Sequence, residues 1–247
     1  MKKNKRIVCF STGNLYKSFS SIHKKIDFCS DLDVDGIELL FAYAQDLLKF
    51  KLKKSQLAKL RKFKYNTIHL PFYKDKKKNY FYWFNTKDCK KLMYKAYSIA
   101  KQINAVNLNM HANQLKNPKL MDDFKDLDYT FENITEKYRY TISDYKKVLK
   151  QNPRANFLFD VSHGIRTNQL EDIAKNFKNK IKFIHLSGAK GPKDDHYLLY
   201  KFNHPNKKRL ELVKTFDCPV IIEAGREKGV NLSDFKKEIN YVKKWLN

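Results

Sequence analysis

Short apolar runs recur along this chain, each closing on a polar residue and each followed by a stretch in which apolar residues return at helical spacing. Arg6–Phe10 reads as a buried strand, with Ser11-Thr12-Gly13-Asn14 as a turn and helix start and Ile22, Ile26 and Cys29 on one helical face. Asp35-Gly36 breaks the chain before a second strand, Ile37–Phe41, and a Lys-rich amphipathic helix is expected from there to about Arg61. Tyr65–His69 is the third strand, closed by Pro71, and Ala105–His111 the fourth, after a helix over Thr86–Ile103. Asn117–Asp126 has room only for a short helix before strand Asp128–Glu132. Thr141–Gln151 is helical until Pro153 ends it, and Asn156–Asp160 is the sixth strand. A helix over Gln169–Phe177, a strand over Ile181–Ile184 that stops at His185, a helix over Pro205–Phe216, a strand over Cys218–Glu223 and a last helix over Leu232–Leu246 complete the pattern.

Strands that are apolar nearly throughout and alternate with helices imply a parallel sheet covered by those helices. Eight such units close into a (β/α)8 TIM barrel more naturally than they extend as an open sheet, and 247 residues is a usual size for one. With no linker, low-complexity segment or close repeat, the chain reads as a single α/β domain over residues 1–247. Function in such barrels sits where the C-terminal strand ends share one face. The polar residues ending strands three to eight are His69, His111, Glu132, Asp160, His185 and Glu223. Of the seven histidines, His69, His111, His163, His185 and His196 all fall at strand ends or in the loops just after them.

Taken singly, each of these residues has an ordinary structural role: a strand-end histidine can bond to backbone, and a carboxylate can cap a helix or pair with a lysine. Together they describe three imidazoles and three carboxylates converging on one pocket. Uncompensated carboxylates there repel one another, and a divalent cation relieves the repulsion while taking neutral imidazole as ligand. His163 follows Asp160 by three residues, and the loop after the seventh strand carries Asp194-Asp195-His196, an Asp-x-His pair that in an extended loop turns both side chains toward one ion. Nine candidate ligands exceed what one tetrahedral ion needs. The mixture favours zinc, with manganese also compatible.

Composition narrows the setting. Cys9, Cys29, Cys89 and Cys218 form no CxxC pair, which argues against a disulfide framework or a cysteine zinc site and fits a reduced, cytoplasmic compartment. No apolar run is long enough for a signal peptide or a membrane span. A formal charge of +25 points to a polyanionic partner, nucleic acid ahead of an anionic membrane, although a Lys- and Asn-rich, Arg-poor chain also follows from an AT-rich coding sequence. The loop after the third strand concentrates this charge, with Lys74, Lys76, Lys77 and Lys78 ahead of Tyr80, Phe81, Tyr82, Trp83 and Phe84.

The series His69-Leu-Pro-Phe, His111, Phe131-Glu132-Asn, Phe159-Asp160-Val-Ser-His163, Ile184-His185-Leu-Ser-Gly-Ala-Lys190, Asp194-Asp-His196 and Ile222-Glu223 resembles the endonuclease IV family of apurinic/apyrimidinic endonucleases, within the xylose-isomerase-like barrels. The match runs in order over nearly the whole chain. The resemblance implies three zinc ions per chain: His69, His111 and Glu132 on the first, with Glu132 bridging to a second held by Asp160, His185 and Glu223. His163, Asp194 and His196 would hold the third. It further implies hydrolysis of double-stranded DNA on the 5′ side of abasic sites, trimming of blocked 3′ ends, and Glu132 and Glu223 as the carboxylates that steer the attacking water. Phe72 or Tyr73 would be the wedge in the base stack, with Lys74, Lys76, Lys77, Lys78 and Lys190 on the DNA backbone and a monomer as the expected state.

The chain departs from that pattern in loops that shape substrate binding. His111-Ala-Asn stands where the family has His-Pro-Gly, Asn133-Ile-Thr-Glu136 where it has a Gly-rich turn, and Ser187-Gly188 where it has Asn-Asp. Glu38, in Gly36-Ile-Glu-Leu-Leu, is closer to the sugar isomerase and epimerase relatives. The alternative reading is therefore a metal-dependent sugar isomerase or epimerase using Glu132, Asp160, His185 and Glu223. A non-enzymatic nucleic-acid-binding barrel would explain the charge but not the nine ligands.

Overall fold

In the computed structural model, which describes residues 5–135, 140–192 and 194–247, eight strands pair in sequence order, all parallel, and the last closes on the first. They are β1 (Val8–Ser11), β2 (Gly36–Leu40), β3 (Asn66–His69), β4 (Ala105–His111), β5 (Asp128–Glu132), β6 (Asn156–Asp160), β7 (Ile181–Leu186) and β8 (Val220–Ile222). This is the (β/α)8 barrel expected from the alternation. The first four residues of the basic N-terminus, and Glu136 at the end of the turn after β5, lie outside the described residues.

Strand side chains alternate between two environments. Phe10, Leu39, Ile68, Met110, Phe131 and Ile184 face outward and join the main core with the surrounding helices. The inward residues divide. Cys9, Leu158, Phe183 and Ile221 make a small separate apolar cluster inside the barrel. Inside β4 and β5 the filling is polar: the Asn107 amide donates to the Thr130 hydroxyl at 2.8 Å, and the Asn109 amide to a Glu132 carboxylate oxygen at 2.8 Å. A polar ladder thus leads up to one of the expected ligands.

The helices are α1 (Ile22–Cys29), α2 (Ala44–Lys49), α3 (Lys54–Leu60), α4 (Lys87–Gln102), α5 (Ile142–Gln151), α6 (Val161–Arg166), α7 (Leu170–Phe177), α8 (Asn206–Arg209) and α9 (Leu232–Leu246). Thr86 caps α4, and capping boxes open α5 (Thr141 with Asp144) and α9 (Asn231 with Asp234). The single helix expected to run to Arg61 is instead two, because the chain extends at Phe50 to bury that ring against Phe41 and His23, at centroid distances of 5.3 and 5.1 Å. Likewise the helix expected over Pro205–Phe216 is the short α8 followed by a 3₁₀ segment, Leu210–Thr215. Among the described residues no helix is long and apolar enough to cross a membrane.

Gly36 marks the tightest point of the barrel wall, since a Cβ there would stand 1.8 Å from the Tyr65 carbonyl oxygen. Backbone cannot yield as a flexible side chain can. Gly36→Ala is expected to destabilise the fold by about 2 kcal/mol or more, read as a lower urea midpoint. An unchanged midpoint would mean that β2 and β3 shift apart without cost.

Candidate metal centre

Strand register sets the ligands side by side. His111 on β4 pairs with Glu132 on β5, and Asp160 on β6 pairs with His185 on β7. Three groups result, each with its ligand atoms within 4.8 Å of one another: His69, His111 and Glu132; Glu132, Asp160, His185 and Glu223; and Asp160, His163 and His196. Glu132 belongs to the first two and Asp160 to the last two, so neighbouring groups share a carboxylate. Glu132, His69, Asp160, His163, His185 and His196 are buried, while Glu223 keeps partial access to solvent.

Each imidazole has one nitrogen already committed. The Nδ1 atoms of His69, His163 and His196 donate to the main-chain oxygens of Leu70 (2.9 Å), Asn133 (2.9 Å) and Glu223 (2.7 Å). A carbonyl only accepts, so Nδ1 carries a proton and Nε2 is the nitrogen turned toward the cluster. His111 Nδ1 meets the Tyr80 hydroxyl at 2.9 Å, and that hydroxyl also donates to Asn113 at 2.9 Å. His185 places Nε2 on Glu38 at 3.1 Å and Nδ1 toward Glu223 at 2.8 Å. Locking of the outer nitrogen by a carbonyl or carboxylate is how metal-binding histidines are oriented.

Two atoms test whether a cation fits. Buried His196 Nε2 and Asp160 Oδ2 have no hydrogen-bond partner among the described residues, although orphaned buried polar atoms are costly. Both belong to the third group, and a cation between them satisfies both. Asp160 does double duty: its Oδ1 caps α6 by accepting from the backbone N–H of His163 at 2.9 Å and from the Ser162 hydroxyl at 2.8 Å.

Charges in the cluster are strongly coupled. Burial lowers the His69 pKa, but its bond to Glu132 and the charges of Glu132, Glu38 and Glu223 outweigh this and raise it to about 9. His185 is raised well above its ordinary value for the same reason, burial being overcome by Glu38, Glu223 and Glu132. His111 falls to about 3 through burial, with His69 and His163 adding repulsion. His196 is lowered by burial and by Arg226. Glu132 and Glu223, despite burial, are held below the usual carboxylate range chiefly by His185.

The structure sets Asp194 apart from the rest of the expected ligand set. A tight turn, with Asp194 N–H donating to the Gly191 carbonyl at 3.2 Å and Lys190 N–H to the Asp194 carbonyl at 2.9 Å, leaves its side chain exposed. There its carboxylate accepts from the Tyr197 hydroxyl at 2.6 Å, and Asp160 stands in the third group instead. Asp195 points inward but is taken by Arg166 and by Arg226, the latter at 3.1 Å, which together with His196 hold it at about 2 against burial. His196 is presented by a left-handed backbone (φ 58°), and the loop behind it is fixed by Glu227 on the Leu198 N–H and by Glu238 on those of Leu199 and Tyr200.

The cluster floors a cavity of about 220 Å³ walled by Phe72, Tyr80, Arg166 and Arg226, which adjoins a larger one of about 530 Å³ bordered by Tyr16, Phe19, Lys25, Tyr43 and Lys78. Phe72 lies flat against His111, ring centroids 5.3 Å apart, and edge-on to His69, so it is a wall of the site rather than a projecting wedge. Tyr73 is held between Tyr43 and Tyr80. Lys74, Lys76, Lys77 and Lys78 are exposed at the rim, and Lys190 is exposed with its ammonium 4.3 Å from the Tyr197 ring centre. Sequence reasoning missed Tyr80, Asn133, Arg166 and Arg226. Only Arg226, three residues past Glu223 at a strand end, carried a positional signal.

No family model and no curated protein matches the chain in sequence. Solved structures match its fold. The probable 3-DHS dehydratase AsbF of Bacillus anthracis is 11% identical, with a TM-score of 0.67 over 96% of this chain and 98% of that one. D-psicose 3-epimerase of Clostridium cellulolyticum is 10% identical (TM-score 0.69, 97% and 98% covered). Endonuclease IV of Thermus thermophilus is 12% identical (TM-score 0.63, 96% and 99% covered). The shared feature is the (β/α)8 barrel, which in these structures belongs to a dehydratase, an epimerase and a nuclease alike. At these identities the likeness defines the fold alone.

Two outcomes check the ligand assignment. Asp194→Asn should leave the metal content of purified protein unchanged, whereas Asp160→Asn should lower it by at least about one ion per chain; equal losses would return Asp194 to the centre. Because neighbouring carboxylates raise the His69 pKa to about 9 and that of His185 well above its ordinary value, zinc uptake at pH 7 should release at least about one proton per chain, and its apparent affinity should rise as pH climbs toward 9. Calorimetry in buffers of different ionisation heat reads that release, and zinc binding without it would contradict the coupling described.

Proposed function

We propose that this chain is a metal-dependent phosphodiesterase of DNA repair, hydrolysing the backbone 5′ to abasic sites and trimming blocked 3′ ends. The observation that carries the reading is the pair of shared carboxylates, Glu132 and Asp160, which link three ligand groups into one cluster. One-metal sugar chemistry has no use for the third group, whereas in-line displacement at phosphorus gains from cations on both the attacking and the leaving oxygen. Zinc or manganese suits the mixed imidazole and carboxylate set, and when bound supplies Lewis acidity and lowers the pKa of water.

The chain's own groups would act as follows. Glu223, ionised and the most accessible carboxylate of the cluster, lines both cavities and accepts the proton of the attacking water. Glu132, pinned by Asn109 and His69, stays ionised and fixes the spacing of the first two groups. Arg166 and Arg226, two guanidinium groups sharing the one carboxylate of Asp195, leave net positive charge on the wall of the smaller cavity, where a phosphate would bind. Water adds to phosphorus and the 3′ oxygen of the sugar leaves. Lysines 74, 76, 77, 78 and 190 supply sequence-independent attraction to the DNA backbone, in keeping with the charge of +25.

A sugar isomerase or epimerase is the second reading, favoured by the contact of Glu38 with His185 and by cavities of small-molecule size. Elemental analysis separates them, since three metals per chain fit the nuclease and one or two the isomerase. Glu132→Gln and Asp160→Asn should each reduce cleavage of an abasic duplex to below about 1% while circular dichroism shows the barrel intact. Folded variants that cleave normally, or a metal-loaded protein that turns over ketoses and not abasic DNA, would sink the proposal.

A further inference from the structure

Residues Tyr80 to Phe84 are five consecutive aromatics in an extended segment. Phe81 and Trp83 pack into the core with ring centroids 4.9 Å apart, Trp83 being fully buried. Tyr80, Tyr82 and Phe84 form a second row, with centroid spacings of 5.2 and 6.5 Å, and Phe84 is 48% exposed. Core packing accounts for the first row and not for the second.

The second row stands on a rigid base. Phe81 N–H donates to the Phe72 carbonyl (3.0 Å), Trp83 N–H to that of Gln114 (2.8 Å) and Lys116 N–H to that of Trp83 (2.8 Å), while the Gln114 amide bonds to the Phe81 carbonyl (2.9 Å). Tyr80 at the inner end bonds to His111 of the metal centre. Charge flanks the row: the Lys116 ammonium sits 4.7 Å from the Tyr82 ring centre, and Lys74, Lys76 and Lys77 are exposed in the turn between Tyr73 and Tyr80.

We propose that Tyr80, Tyr82 and Phe84 are a stacking track for the bases of single-stranded nucleic acid, leading one strand to the metal centre. Aromatic side chains combined with a cationic groove are how proteins hold single strands without reading sequence. Neighbouring rings of the row are inclined to each other at 63°, so bases lying on them would be fanned apart rather than parallel, which fits a strand drawn out of its stack. Flanking ammonium groups match a phosphate backbone and not an uncharged polysaccharide, the other polymer that stacks on aromatic rows. The inference deepens the nucleic-acid reading of the centre and rests on it for the polarity of the path, from track to cluster.

The test is fluorescence anisotropy of labelled oligo(dT), about twelve nucleotides long to suit one such site, and of a blunt duplex, with the metal-loaded full chain at fixed salt. Replacing both residues by alanine (Tyr82→Ala with Phe84→Ala) should weaken oligo(dT) binding about tenfold or more and duplex binding by less than about twofold. A leucine pair (Tyr82→Leu with Phe84→Leu) should be as weak as the alanine pair, and a tryptophan pair should bind at least as tightly as wild type. Equal losses on oligo(dT) and duplex, wild-type binding by the leucine pair, or ring-dependent binding of a neutral glucan oligosaccharide would each overturn the track. Wild-type hydrolysis of bis(p-nitrophenyl) phosphate reports separately on the centre. Ring-dependent oligo(dT) binding without hydrolysis would remove the phosphodiesterase and keep the track, and hydrolysis with ring-independent binding would do the reverse.

Discussion

Glu132 is an ionised carboxylate almost completely withdrawn from water, and the open end of the barrel is arranged around keeping it so. Burying such a charge costs several kcal/mol unless partners replace the lost hydration. Here the partners come from different strands. Asn109 on β4 donates to it, His69 on β3 bonds to it at 3.1 Å, and His185 on β7 and His163 after β6 stand 3.5 Å away. A sheet could offer such a residue two neighbouring strands; a closed barrel offers all of them. Closure by β8 onto β1 is thus a condition for the site as well as for the fold.

Positioning of the candidate ligands is distributed among atoms that are not themselves in the three ligand groups. Three histidines lean on main-chain oxygens, one on a tyrosine hydroxyl and one on Glu38, so each ring presents a chosen nitrogen to the cluster. Main-chain anchors are fixed by the barrel itself. Glu38 and Tyr80 are side chains, and they are where this chain can differ from other barrels of the same architecture. Glu38 pulls charge toward His185 from beneath, while Tyr80 couples His111 to the aromatic segment above.

Much of this was legible in the sequence because both fold and ligands follow a strict period. Each apolar run from the third to the eighth ended on a histidine or carboxylate, and a parallel barrel sends every such end to one face, so His69, His111, Glu132, Asp160, His185 and Glu223 could be grouped without coordinates. The placement of Asp194 was not legible, for the opposite reason. It lies in a loop, where the turn closed by Gly191 and Lys190 decides the direction of the side chain, and no period reports on a turn. Phe72 was legible as a rim residue but not as a wall, because its contact with His111 spans about forty positions in the chain. Helix boundaries failed where a single buried ring, Phe50, overrode a continuous helical pattern.

The two cavities have different characters, and their junction explains why three residues matter beyond their own contacts. The smaller is floored by ligands and walled by guanidinium groups; the larger is bordered by tyrosines and phenylalanines. Five residues line both, the aromatics Phe72 and Tyr73 and the three polar residues Glu223, His196 and Arg226. His196 reaches this point only through its left-handed backbone, and its carbonyl accepts from the backbone N–H groups of Gly225 (2.7 Å) and Arg226 (3.1 Å). The β7 loop and the segment after β8 are therefore bonded to each other at the junction. On the proposed reading, a substrate filling both lobes would present one end to the candidate ligands and arginines and the other to flat apolar surface. Movement of either loop would then shift Glu223, His196 and Arg226 together, which would make that junction the place where binding and chemistry are coupled.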